Sequence, residues 1–190
     1  TNRIYVANSG SDNVSVIDGT NDSVVAIVPV GQDPSCVAVN PQTNRIYVTN
    51  KQSNDVSVID AATDTVVATI AVGYSPTSVA ANPDTNHIYA TNAGSHTISV
   101  IDGAEDTVVA TVAVGQGPQA VTVNPNTNRV YVANTWDDNM SVIDASTDRE
   151  VATVSVGRAP WGVAVNHRTN RIYVANAYES SISIIDGAVH

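Results

Sequence analysis

The sequence has no phenylalanine, one cysteine, one methionine and two tryptophans in 190 residues. A single cysteine, Cys36, excludes an internal disulfide and a zinc cage built on cysteines, and leaves the redox compartment open. Charge is scarce: charged side chains are 14% of the chain, against about 25% in an average soluble domain. The basic ones are scarcer still, eight Lys and Arg against eighteen Asp and Glu, for a formal charge of −10. That balance argues against a nucleic-acid partner, whose binding needs a basic footprint to displace counterions. It argues equally against docking on an anionic membrane surface. No apolar run approaches the ~20 residues of a membrane-spanning helix, so no membrane span is expected. The first residue is Thr1 rather than Met, from which a processed or truncated product is expected. Hydrophobic residues still make up 43% of the chain. They are carried by Val, Ala and Ile, small or β-branched types that favour strands.

What is present is a repeat. Thr1-Asn2-Arg3-Ile4-Tyr5-Val6 returns as Thr43–Val48, Thr85–Ala90, Thr127–Val132 and Thr169–Val174, so the units start at 1, 43, 85, 127 and 169, a period of 42 without insertion or deletion. A second string keeps the same period: Val14–Asp18, Val56–Asp60, Ile98–Asp102, Met140–Asp144 and Ile182–Asp186. Each period holds four strand signals separated by turn residues; one unit reads Ser78–Ala81, His87–Thr91, Ile98–Ile101 and Thr107–Val114. The connections are too short for crossover helices, so the strands are expected to form an antiparallel meander. Four strands in about forty residues, repeated, point to an all-β fold, a β-propeller of four-stranded antiparallel blades. One repeat domain over 1–190 is expected.

The string Tyr47-Val48-Thr49-Asn50 resembles the signature of the YVTN β-propeller repeat family. The Ser-Val-Ile-Asp strings and the Gly-x-x-Pro before each inner strand are similar to the same family. The resemblance covers the whole chain and implies the propeller fold. It also implies kinship with archaeal surface-layer proteins and with secreted or cell-surface bacterial proteins, hence an extracellular or cell-surface location. Among more distant propeller relatives it includes enzymes such as lactonases and a streptogramin lyase.

With the strands of a blade called inner, second, third and outer, the chain begins at a second strand and finishes after a third. About five blades are therefore expected, the first and last incomplete with three strands each. Both ends supply second and third strands, so they duplicate rather than complete one another. Three closures are open: the chain is an arc of a larger ring, which the family resemblance puts at seven blades; its ends are completed by another chain through self-association; or five blades close imperfectly. The arc of a larger ring is the expected one, because the chain starts inside a repeat.

The repeats differ on one face. Inner-to-second and third-to-outer loops barely vary and are rich in Asn, Asp, Thr and Pro, residues whose side chains make turns. The aspartates Asp18, Asp60, Asp102, Asp144 and Asp186 recur at turn starts and are expected to cap turns, not to hold metal. His87 and His167 fall on that invariant face and His190 at the terminus, so no metal centre and no cofactor is expected. On the opposite face, the outer-to-inner and second-to-third loops keep a Gly and Pro frame and are expected to leave the side chains between free. Trp136, Asp137, Asp138, Arg158, Trp161, Tyr178 and Glu179 collect over the last two blades. Aromatic rings with carboxylates and an Arg suit a polar ligand with apolar faces, a glycan, peptide or protein partner. Trp161 reads alternatively as an ordinary core plug between blades. Lys51, Tyr74 and His96 form a second, weaker patch over the second and third blades.

Two functions follow. One is a non-enzymatic surface or secreted scaffold, adhesion or ligand-binding module acting through the variable face, with no catalytic residues. The other is a propeller enzyme of lyase or lactonase type with a site at the channel mouth, for which His96, Glu179 and Asp33 are the acid–base candidates. Those three belong to separate sectors.

Overall fold

The computed structural model describes residues 2–188; Thr1, Val189 and His190 lie outside the described residues. It holds five antiparallel sheets of three, four, four, four and three strands. The first contains β1 (Arg3–Asn8), β2 (Asn13–Asp18) and β3 (Ser23–Pro29), with a single 3-10 turn at Ser9–Ser11. The second contains β4 (Pro34–Asn40), β5 (Arg45–Asn50), β6 (Asp55–Asp60) and β7 (Thr65–Ala71). The third is β8 (Pro76–Asn82), β9 (His87–Asn92), β10 (Thr97–Asp102) and β11 (Thr107–Ala113). The fourth is β12 (Pro118–Asn124), β13 (Arg129–Asn134), β14 (Asn139–Asp144) and β15 (Arg149–Ser155), and the fifth β16 (Pro160–Asn166), β17 (Arg171–Asn176) and β18 (Ser181–Asp186). Strands pair in sequence order within each sheet, as a meander must. No helix among the described residues is long and apolar enough to cross a membrane.

The turns explain the register. Within each unit they close on residues in the left-handed region, with φ between 50° and 60° at non-glycine positions such as Asp12, Asp22, Asn44, Asn54, Asp64, Asn86 and Asp106. Asn and Asp tolerate that region best among residues with a Cβ. The recurring aspartates cap turns as expected. Asp18, Asp60, Asp102, Asp144 and Asp186 accept from the backbone N–H two residues on, at 2.8, 2.7, 2.8, 2.8 and 3.0 Å. Donation from Thr20 holds the Asp18 carboxyl below its ordinary range, and the Arg129 guanidinium does the same for Asp144.

Consecutive sheets pack face to face as blades of a propeller arc. Alternation sends odd and even residues of a strand to opposite neighbours. On β5, Ile46 and Val48 pack back on Val14 and Val16 of the first sheet, while Tyr47 packs forward on Ile88 and Ala90 of the third. Call these the leading and trailing faces of a blade. Tyr47, Tyr89 and Tyr131 are fully buried at the later junctions, while Tyr5 at the first is partly buried. Burial pushes the Tyr47 hydroxyl up to about 12. An ionic contact crosses the first junction too, Arg3 pairing with Asp64 of the next blade. The leading face of the first sheet and the trailing face of the fifth have no neighbour among the described residues, and Ile4, Val6, Ile182 and Ile184 are exposed there.

Candidate functional site

The variable loops form one surface because each blade binds its two loops together. The loop before the inner strand accepts from the loop after the second strand: Gln52 N–H to the Gln32 carbonyl at 3.1 Å, Gly94 to Tyr74 at 3.0 Å, Trp136 to Gln116 at 3.1 Å and Tyr178 to Arg158 at 3.3 Å. Lys51 enters the same ladder, its N–H donating to the Asp33 carbonyl at 2.9 Å. A glycine at the foot of each loop makes room for a buried asparagine. A Cβ on Gly31, Gly73, Gly115 or Gly157 would come within 2.5–2.7 Å of Asn50, Asn92, Asn134 or Asn176. Those asparagines donate in turn to the third strand, Asn134 Nδ2 to Asn139 and Ser141 at 2.8 Å each.

The side chains between are less free than the sequence implied. In one repeat column, Asp12, Asn54, His96 and Asp138 each accept from the backbone N–H of the following blade's loop: Asp33 at 2.9 Å, Ser75 at 2.8 Å, Gly117 at 3.2 Å and Ala159 at 2.8 Å. In the neighbouring column Ser53, Ser95 and Asp137 accept from Gln32, Tyr74 and Gln116 of their own blade at 3.0, 2.7 and 2.8 Å. Asp137, Asp138 and His96 thus tie the loops together, and the expectation of free side chains is corrected at these positions. Such backbone links between blades were legible only as a column of hydrogen-bond acceptors in varied loops.

The division into two patches is also corrected. His96 of the third blade meets Trp136 of the fourth edge to face, with ring centroids 5.7 Å apart. Gly117 completes the contact. It sits at φ 62°, and a Cβ there would lie 2.7 Å from Trp136 Cδ2. Other blades carry Asp33, Ser75 and Ala159 in this column at similar φ, so the ring, not the backbone, requires glycine here. With Nδ1 accepting from Gly117, a neutral His96 carries its proton on Nε2.

Four rings stand in solvent: Tyr74 is 71% exposed, Trp136 63%, Trp161 60% and Tyr178 80%. Trp136 and Tyr178 share one repeat column in adjacent blades. Trp161 is the second residue of β16. It occupies the column in which Ser35 and Thr77 reach the next blade's Pro76 and Pro118 carbonyls, so its ring stands at the open edge of the fifth sheet. Glu179 lies over Gly157, its Oε2 2.5 Å from where a Cβ would be. Asp33, His96 and Glu179 belong to the second, third and fifth blades. Among the described residues no cluster of three or more His, Cys, Asp or Glu could hold a metal ion.

Residues 1–83 and 77–171 match the family model of the YNCE-like β-propeller. No curated protein matches the chain. Among solved structures, hydrazine synthase of Kuenenia stuttgartiensis is similar with a TM-score of 0.77 at 19% identity, over 97% of this chain and 73% of that one. A functionally unknown protein from Desulfotomaculum acetoxidans is similar with a TM-score of 0.82 at 15% identity, over 97% of this chain and 65% of that one. At those identities the likeness is one of fold. Two overlapping matches that together run from residue 1 to residue 171, over a structure of repeated antiparallel blades, show that the chain belongs to the YNCE-like β-propeller family.

Proposed function

We propose that the chain is a non-enzymatic binding module of a secreted or cell-surface protein, taking a glycan or an extended peptide on its variable loop face. The observation that carries this is the pair Trp136 and Tyr178, exposed by 63% and 80% in the same column of adjacent blades. Rings held at equal height on rigid blades supply large apolar area at low entropic cost, with polar groups beside them to orient a ligand. Arg158, through its side chain, and the free oxygens of Asp137 and Glu179 are the polar partners. Tyr74 and Lys51 extend the surface across the second and third blades, joined to it by His96. The location rests on the resemblance of the Tyr47–Asn50 string to surface-layer propellers.

The test is titration of tryptophan emission with neutral oligosaccharides and with a proline-rich peptide, on the wild type and on Trp136→Ala and Tyr178→Ala. Binding that saturates in the wild type and weakens at least tenfold in both variants supports the reading. Equal binding by wild type and variants, or no response to any probe, overturns it.

A further inference from the structure

In three successive blades the bonded loop pair carries one exposed ring. The pair is Tyr74 and Gly94 in the third blade, Gln116 and Trp136 in the fourth, and Arg158 and Tyr178 in the fifth. The second member donates its N–H to the carbonyl of the first at 3.0, 3.1 and 3.3 Å. The ring changes side between the third blade and the next two. Where Tyr74 carries it, the partner is Gly94, whose Cβ would stand 3.1 Å from that of Tyr74. In the second blade the pair is Gln32 and Gln52, with no ring. Sheets packed face to face stand about 10 Å apart, so Tyr74, Trp136 and Tyr178 form a track with that step. The polar groups beside it are mostly donors. Gln116 and Arg158 are exposed, and neither side chain makes a hydrogen bond or an ion pair among the described residues. His96 Nδ1 accepts from Gly117 at 3.2 Å, which leaves its Nε2–H to donate. The carboxylates are partly engaged: Asp137 accepts from Gln116 and Asp138 from Ala159, at 2.8 Å each, and Glu179 lies over Gly157.

We propose that this track takes a proline-rich segment in the polyproline II conformation, one proline on each of Tyr74, Trp136 and Tyr178. This rests on the binding role proposed above for the same loop face. Polyproline II returns to the same side every three residues at about 3.1 Å each, a step of about 9.3 Å. That step is close to the blade spacing of about 10 Å. A β-strand returns every two residues, about 6.8 Å, so it meets the first and third rings and misses the middle one by about 3 Å. The hydrogen-bonding groups agree with the spacing. Prolines have no N–H, and polyproline II leaves its carbonyls unbonded, so the ligand is rich in acceptors. Gln116, Arg158 and His96 supply the donors. A glycan hydroxyl both donates and accepts and makes no use of that one-sidedness. Grooves lined by aromatic rings suit such segments because the helix is formed before binding and loses little entropy on docking. From Tyr74 to Tyr178 the track is about 20 Å, about seven residues of polyproline II.

The test is calorimetric titration of the full chain with capped, uncharged peptides of about ten residues, long enough to cover the track. One carries proline at every third position and another, of the same composition, at every second. The first is expected to bind at least about tenfold more tightly than the second. Tyr74→Ala, Trp136→Ala and Tyr178→Ala should each weaken it about tenfold, and Gln116→Ala and Arg158→Ala severalfold. All five residues are exposed, so the variants should keep the wild-type circular dichroism. A short peptide with a single Pro-x-x-Pro unit covers two rings and should bind more weakly. It should lose affinity in Trp136→Ala, the ring shared by both adjacent pairs, and change little in either tyrosine variant. Equal affinity for the two proline spacings overturns the proposal, as does undiminished binding of the longer peptide by Tyr74→Ala. A neutral oligosaccharide that binds where the peptides do not overturns it and leaves the loop face as a binding surface. Silence with every peptide and oligosaccharide overturns both.

Discussion

Substituting His96 separates the two contacts that join the third blade to the fourth at the loop surface. Its Nδ1 accepts from the Gly117 N–H at 3.2 Å, and its ring edge lies on Trp136 with centroids 5.7 Å apart. A neutral hydrogen bond of that length contributes about 1 kcal/mol net. An aromatic pair adds about 0.5–1.5 kcal/mol beyond its buried area. Because Trp136 is 63% exposed, its share belongs at the lower end, about 0.5 kcal/mol. His96→Ala removes both contacts and is expected to cost about 1.5 kcal/mol. His96→Asn installs the residue that Asn54 supplies in the same column, where it accepts from Ser75 at 2.8 Å; only the ring contact goes, for about 0.5 kcal/mol. Asn also suits the left-handed backbone at His96, φ 57°. Urea unfolding gives both numbers. Run in a Trp161→Phe background, it leaves Trp136 as the one fluorophore of its kind, and a change in its emission should accompany both variants. Equal losses for Ala and Asn would show that the hydrogen bond is not the stronger of the two contacts. An unchanged Trp136 spectrum would refute the ring contact.

Two further changes probe the blade junctions. The Asp148 carboxyl is held above its ordinary value of 3.8 chiefly by burial, against the opposing pull of His87 and with help from Asp144. The fold therefore keeps that proton more tightly than the unfolded chain does. Its contribution is full below about pH 3.8 and is lost as pH rises through the raised value. Asp148→Asn, at a φ of 51° that Asn tolerates, should match the wild-type melting temperature near pH 3 and exceed it at pH 7; a deficit at pH 7 would contradict the sign. Tyr89 is fully buried and its hydroxyl has no hydrogen-bond partner. Tyr89→Phe should leave stability unchanged or raise it by about 1 kcal/mol in urea unfolding, and a loss above about 1 kcal/mol would show that the hydroxyl is bonded.

The period carried nearly all of the fold. Because Thr43–Val48 and its copies recur without slippage, the phase of the first copy settled which strands the first and last sheets lack, and the sheets of three, four, four, four and three follow from it. Strand limits were off by a residue or two, Thr107–Ala113 against Thr107–Val114, since Val114 is apolar but already hydrogen-bonds in the turn, to the His96 carbonyl at 3.1 Å. The loop surface was legible as a face but not as a network. Asp12, Asn54, His96 and Asp138 look like variation. What they share is an acceptor atom, and the amide each one meets lies 21 residues on, in another blade. Arg3 and Asp64, 61 residues apart, are hidden for the same reason. A contact within a unit repeats visibly, whereas a contact between units is seen only once the sheets are stacked. Trp161 is hidden in the same way. Its column is filled by Ser35, Thr77 and Gln119 where a following blade is present, small or flexible side chains that fit a closed junction. A tryptophan at that position stands against the open edge, so what it touches is set by whatever covers the fifth blade, and its role belongs with that contact as much as with the loops.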